Sequence, residues 1–130
     1  MKDNFGETVF QKDIGWHITD EPVELSGCSI DWRKEYKYKS GSISYTKLHV
    51  QLVELEPSSA RVETFATDNI YGVLVAGGNK KQVVKYDIGD GQGWRYSSGE
   101  YIYYNNQALA ERFARALKHA IELCKAREPF

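Results

Sequence analysis

From about residue 23 to residue 104 the apolar and polar positions alternate in short runs broken by turn residues. Residues 28–39 place Trp32, Tyr36 and Tyr38 on one face and Asp31, Arg33, Glu35, Lys37 and Lys39 on the other, the two-residue period of a half-buried strand. Ser40-Gly41-Ser42 then predicts a tight turn. The run 43–56 follows, with Leu48, Val50 and Leu52 on a common face and His49 and Gln51 opposite, closed by Pro57-Ser58-Ser59. Further runs cover 61–66, Ile70–Ala76, 81–88 and 101–104. Asp68-Asn69 predicts a turn before Ile70, and Gly77-Gly78-Asn79 predicts a hairpin between Ile70–Ala76 and 81–88. In 81–88, Val84, Tyr86 and Ile88 share one side, and Lys81, Val83, Lys85 and Asp87 the other. Connections this short suit antiparallel neighbours.

The period then changes. Residues 107–127 contain no Gly or Pro and are dense in good helix formers. Leu109, Phe113, Ala116, Leu117, Ala120 and Cys124 form an apolar stripe at three-and-four spacing, widened by Ile121 and Leu123. Asn105 or Asn106 supplies the cap, and Lys125 and Arg127 suit the negative end of the helix dipole. Such a helix must lie across something apolar, and only the sheet is on offer. The expectation is one α+β domain over residues 1–130: an N-terminal arm (1–13), an antiparallel sheet of six to seven strands (14–104) and a closing helix (106–127).

Composition sharpens this picture. The chain has 130 residues, 42% hydrophobic and 27% charged, which suits one ordinary globular core. Seventeen basic and eighteen acidic residues leave a net charge of −1, which argues against nucleic-acid binding by bulk positive charge. No apolar run is long enough to span a bilayer. Residues 1–7 lack the apolar stretch of a secretory signal, pointing to a cytoplasmic protein, with export the alternative if a leader has been removed. Cys28 and Cys124 are too far apart for a zinc or redox motif. Their plainest reading is two small buried hydrophobes, a single disulfide being the alternative in an exported chain.

An antiparallel sheet of six or seven strands followed by one helix worded Ala110-Glu111-Arg112-Phe113-Ala114-Arg115-Ala116-Leu117-Lys118-His119-Ala120 resembles the pleckstrin-homology-like barrel. The resemblance covers about residues 14–127. It implies that the helix plugs an open corner between two nearly orthogonal sheets. Those domains usually carry a tryptophan in the helix, where this chain has Phe113; Trp16, Trp32 and Trp94 all lie outside it. A helix-grip fold needs two helices where Pro22 and Gly27 leave no room, and a lipocalin barrel wants about eight strands.

The most suggestive chemistry is the basic stretch Arg33, Lys34, Lys37 and Lys39 running into the Ser40–Ser42 turn. Clustered cations beside a turn can hold a phosphate. Members of the resembled family that bind phosphoinositides use basic residues flanking their first hairpin, which implies such a role here. Glu35 weakens the field, and lysines that keep a strand solvated and discourage edge pairing are the simpler account. The segment Asp87–Gly93 has glycines where a calcium loop needs oxygens, and Trp94 where a dinucleotide fingerprint needs a small residue, so it reads as a turn. His17, His49 and His119 lack local partners at metal spacing, and no Gly-x-Ser-x-Gly elbow occurs. Trp94, Tyr96, Tyr101, Tyr103 and Tyr104 read as packing aromatics rather than as base-stacking platforms, since only Arg95 lies among them. The expectation is therefore a non-catalytic module without cofactor or metal. Its partner is a protein or peptide held at a strand edge or at the Lys37/Lys39 hairpin. Anionic lipid or phosphate at the same hairpin is the alternative, and a small enzyme the remote one.

Overall fold

A computed structural model describes residues 5–12, 14–65 and 69–127. Nine strands precede one helix: β1 (Val9–Gln11), β2 (Trp16–Ser26), β3 (Ser29–Lys37), β4 (Ile43–Gln51), β5 (Val62–Phe65), β6 (Ile70–Ala76), β7 (Val84–Asp87), β8 (Arg95–Ser97), β9 (Gly99–Tyr104) and α1 (Gln107–Arg127). They form a six-stranded sheet in the order β1-β2-β3-β4-β7-β8 and a three-stranded sheet in the order β5-β6-β9, with every neighbouring pair antiparallel. The α+β class and the single carboxy-terminal helix are as expected. The sheets stay open: among the described residues no strand ladder joins them into a closed ring.

The two-residue period explains the large sheet. Ile30 and Trp32 on β3 and Leu48 and Val50 on β4 all point inward and are buried. On α1, Ala110, Phe113, Ala114, Leu117, Ile121 and Cys124 form the buried stripe and pack into the same core. Leu123, expected to widen that stripe, is exposed. Asn106 caps the helix, its Oδ1 accepting the Leu109 N–H at 3.1 Å.

The chain departs from the sequence reading at four places. Cys28 and Cys124 are not free thiols but a disulfide: the β2–β3 turn brings Cys28 under the end of α1, with the Cα atoms 5.8 Å apart, inside bonding range. Gly77–Asn79 is not a hairpin. After β6 the chain leaves the small sheet and enters the large one as β7, beside β4. Asn79 and Lys80 make the tight corner with positive φ, and Val83 and Val84 are both buried, so Val83 does not lie on a wet side. The stretch read as an arm contributes β1 and the buried Phe5, whose ring meets Trp32 and Phe113 edge-on at 6.0 and 5.3 Å. Finally, residues 16–26 form one long strand despite Pro22. β1 pairs only with residues 16–18 of β2, so Pro22 lies where β2 is an edge, and a bulge follows it.

Where the two sheets meet, β9 has no partner strand on its outer side among the described residues. Side chains from the large sheet occupy that place instead. Asp20 Oδ2 accepts the Tyr103 N–H at 3.0 Å, and Lys34 Nζ donates to the Tyr101 carbonyl at 2.8 Å. The Glu7 N–H reaches the Tyr103 carbonyl at 2.9 Å. Asp20 and Lys34 also form an ion pair at 2.8 Å with side chains 0% and 1% exposed.

Candidate functional site

The strand register gathers three connections at one end of the large sheet. The β1–β2 turn, the β3–β4 turn at residues 38–42 and the start of the β7–β8 loop all lie there, because His17 pairs with Lys37, Lys37 with Ile43, and β7 runs toward the same end beside β4. Of the nine exposed large hydrophobic residues described, six cluster here: Phe10, Ile14, Ile43, Tyr45, Ile88 and Trp94. A scattered apolar surface is ordinary, whereas these six stand toward one end of the large sheet.

A cleft of about 550 Å³ opens beside the β3–β4 turn, with Phe10, His17, Glu35, Lys37, Tyr38 and Lys39 among its walls. Lys37 and Lys39 are exposed, and among the described residues neither has a carboxylate within 4 Å. Gly15 makes room for Lys39. Its φ of +70° requires glycine, and a Cβ there would collide with the Lys39 Cε. The Tyr38 and Ser44 hydroxyls bond across the hairpin at 2.6 Å, and Trp16 packs edge-on to Tyr38 at 4.7 Å, so the turn is anchored from inside.

The four basic residues expected to act together are divided. Lys37 and Lys39 line the cleft. Arg33 lies on the same outer face but is engaged, bonded to Glu21 at 2.6 Å and stacked 4.3 Å over the Tyr45 ring. The Glu21 hydrogen bond holds its guanidinium pKa above the ordinary value. It borders a neighbouring depression of about 410 Å³ with Tyr45, Lys47, Asp87 and Ile88. Lys34 faces the interior in its pair with Asp20 and cannot serve a surface site. Phe10, His17 and Gly15 join the cleft unannounced by the sequence reading. The alternation of exposed His17 with buried Ile18 is the available signal; it falls inside the expected sheet but before residue 23, where the alternating runs are read to begin.

A second polar arrangement lies on the outer face of β3 and β4. His49 Nδ1 is 2.7 Å from Asp31 Oδ1, and its Nε2 lies 3.2 Å from the Gln51 amide. With Nδ1 donating to Asp31 and Nε2 accepting from Gln51, both ring nitrogens are occupied. Among the described residues no group of three or more His, Cys, Asp or Glu is placed to hold a metal ion. At the seam, burial pushes the Tyr36, Tyr103 and Tyr104 phenols well above their usual range, with Glu100 and Asp20 adding to the effect on Tyr36 and Tyr103. Tyr101 is raised chiefly by its hydrogen bond to Glu63. These phenols stay neutral as packing groups. Among the described residues no helix is long and apolar enough to cross a membrane. No family model matches the chain, and comparison with curated proteins and with solved structures returned no match.

Proposed function

We propose that this protein is a non-catalytic binding module that rests on an anionic lipid surface through the turn end of its large sheet, with Lys37 and Lys39 meeting headgroup phosphates. The observation that carries the reading is that Ile14, Ile43, Ile88 and Trp94 stand exposed at the turns on the same end of the large sheet as those two lysines. The apolar side chains stand on separate turns, which suits a fluid surface better than one shaped ligand. Each lysine near an anionic membrane contributes about 1 kcal/mol. Each half-exposed isoleucine adds about 1 kcal/mol when its remaining surface leaves water. Trp94 and Tyr45 have the amphipathic rings that favour the membrane–water boundary.

The frame we infer is a variant of the pleckstrin-homology-like roll. Without the β7–β8 pair, the remaining seven strands form two antiparallel meanders followed by one helix, which supports that assignment. The disulfide favours an oxidising compartment over the cytoplasm expected from the sequence. A protein or peptide partner is the second reading, favoured by exposed Trp94 and Tyr96 beside the free edge of β8. It ranks lower because β1 and β8 have three residues each and β5 four, and the open edge of β2 carries Pro22 and a bulge, so an added strand gains few main-chain hydrogen bonds.

Co-sedimentation with vesicles tests the proposal. Binding is expected to vesicles containing anionic phospholipid and not to purely zwitterionic ones. Lys37→Ala/Lys39→Ala should lose about 2 kcal/mol, roughly thirtyfold in affinity. Lys80→Ala/Lys81→Ala, in the β6–β7 connection, should change nothing. Equal losses in both pairs, or equal binding to neutral vesicles, would refute the assignment.

A further inference from the structure

We propose that the Cys28–Cys124 disulfide is a redox latch whose reduction frees only the last turns of α1, beside the apolar cleft that reaches Cys124. The two ends of the bond are held unequally. Cys28 is fixed by the sheet: its carbonyl accepts the Leu52 N–H at 2.7 Å, and the next residue begins β3 opposite Gln51. Cys124 is the last buried residue of the helix, after Ile121, and Ala126 and Arg127 are exposed. Besides the disulfide, the final turn is tied to the sheet side by the bond from Lys125 Nζ to the Val53 carbonyl at 2.9 Å. The first four turns are docked by Ala110, Phe113, Ala114, Leu117 and Ile121, none of which depends on sulfur. A cleft of about 370 Å³ reaches Cys124 from outside between the β2–β3 turn and the helix, walled by Leu25, Ile30, Leu52, Ala120 and Leu123.

The cleft gives a dithiol access to the bond. One thiolate of the dithiol attacks a sulfur of the disulfide, forms a mixed disulfide and releases the other cysteine as a thiolate. The second thiol of the reagent then closes onto the mixed disulfide and releases the remaining cysteine. Two electrons and two protons end on Cys28 and Cys124, and the reagent leaves as its own disulfide. The freed turn then frays because Cys124 is the last buried residue among those described, and 125–127 are exposed.

Hydrogen-exchange mass spectrometry on the full chain tests this, comparing oxidised protein with protein reduced by dithiothreitol without denaturant. Exchange over residues 122–127 should rise at least tenfold, protection over 110–118 should hold, and oxidised glutathione should restore the first pattern. Cys124→Ser should reproduce the reduced profile, and circular dichroism should show the fold retained. Loss of protection across the sheet, no change in 122–127, or a disulfide that reacts only after denaturation would each overturn the latch.

Discussion

Consider replacing Lys34 with methionine. The side chain is 1% exposed, and its Nζ meets Asp20 at 2.8 Å, the Tyr101 carbonyl at 2.8 Å and the Tyr103 ring face at 4.4 Å. Methionine fills most of the space but strands the Asp20 carboxylate, whose exposure is 0%. Breaking one side of a buried pair costs about 3–5 kcal/mol, a large part of the 5–15 kcal/mol that holds a typical domain together. Ordinarily, replacing both charges by hydrophobes of similar size is neutral or stabilising. Here it should not be. In Asp20→Leu/Lys34→Met the Tyr103 N–H and the Tyr101 carbonyl both lose their partners at the unpaired side of β9. Each orphaned group costs roughly 1–3 kcal/mol, so the double variant should remain about 2–6 kcal/mol below the parent. Urea unfolding followed by the fluorescence of buried Trp32 measures both variants, and an unchanged slope confirms that the folded states are comparable. A double variant as stable as the parent would show that the pair does not stand in for a strand, and the reasoning would fail.

Two further outcomes follow from the same structure. Raised tyrosine pKa values mean that the folded state keeps its phenolic protons above pH 10, where the unfolded chain releases them. Stability is then intact below the unfolded value of about 10 and falls as pH rises through the window above it, by up to about 1.4 kcal/mol per pH unit for fully buried Tyr104. The buried tyrosines should ionise only as near-ultraviolet dichroism is lost, and tyrosinate absorbance that is complete while that dichroism remains would contradict the burial. Asn106→Ala removes the helix cap and should cost about 1 kcal/mol in thermal or urea unfolding without altering vesicle binding.

Much of this architecture was legible because local periodicity and tertiary burial agree. The helix matches its expected span to within one residue, and β3 and β4 present the faces that their alternation gives. Two of the misses share a cause: the deciding partner lies far away in sequence. Cys28 meets Cys124 only after the sheet has folded. Gly77–Asn79 has hairpin chemistry, but Val84 is drawn to the core beneath β4, so the turn becomes a crossing between sheets. Lys34 is instructive, since it shares strand parity with Trp32 and Tyr36 and was therefore inward-facing by the same rule that placed them. Treating it as one of a run of basic residues obscured its position. Asp20 and the Tyr101 carbonyl, both on other strands, make that position tolerable.

The placement of Asp20 and Lys34 also bears on how stability and contact are distributed. The main core joins α1, the 3₁₀ turn at Leu52–Glu54 and the inner faces of both sheets. Toward the turn end, a separate small cluster of Val9, Ile18 and Ile70 is backed by Tyr36, Phe65 and Tyr103. Lys34 carries its charge to the ring of Tyr103, so the small cluster borders a polar seam rather than continuing the main core. A pole supported by three buried aliphatic residues has a lower local opening free energy than the helix side, which also carries the disulfide. Residues there can therefore be exposed, apolar and basic at small cost to the global fold. It follows that Ile43→Ser and Ile88→Ser should weaken vesicle binding while leaving the urea midpoint within the scatter of surface substitutions, about 0.5 kcal/mol. If these substitutions instead lower stability by an amount typical of core positions, the isoleucines serve packing, and the division between a structural side and a contact pole collapses.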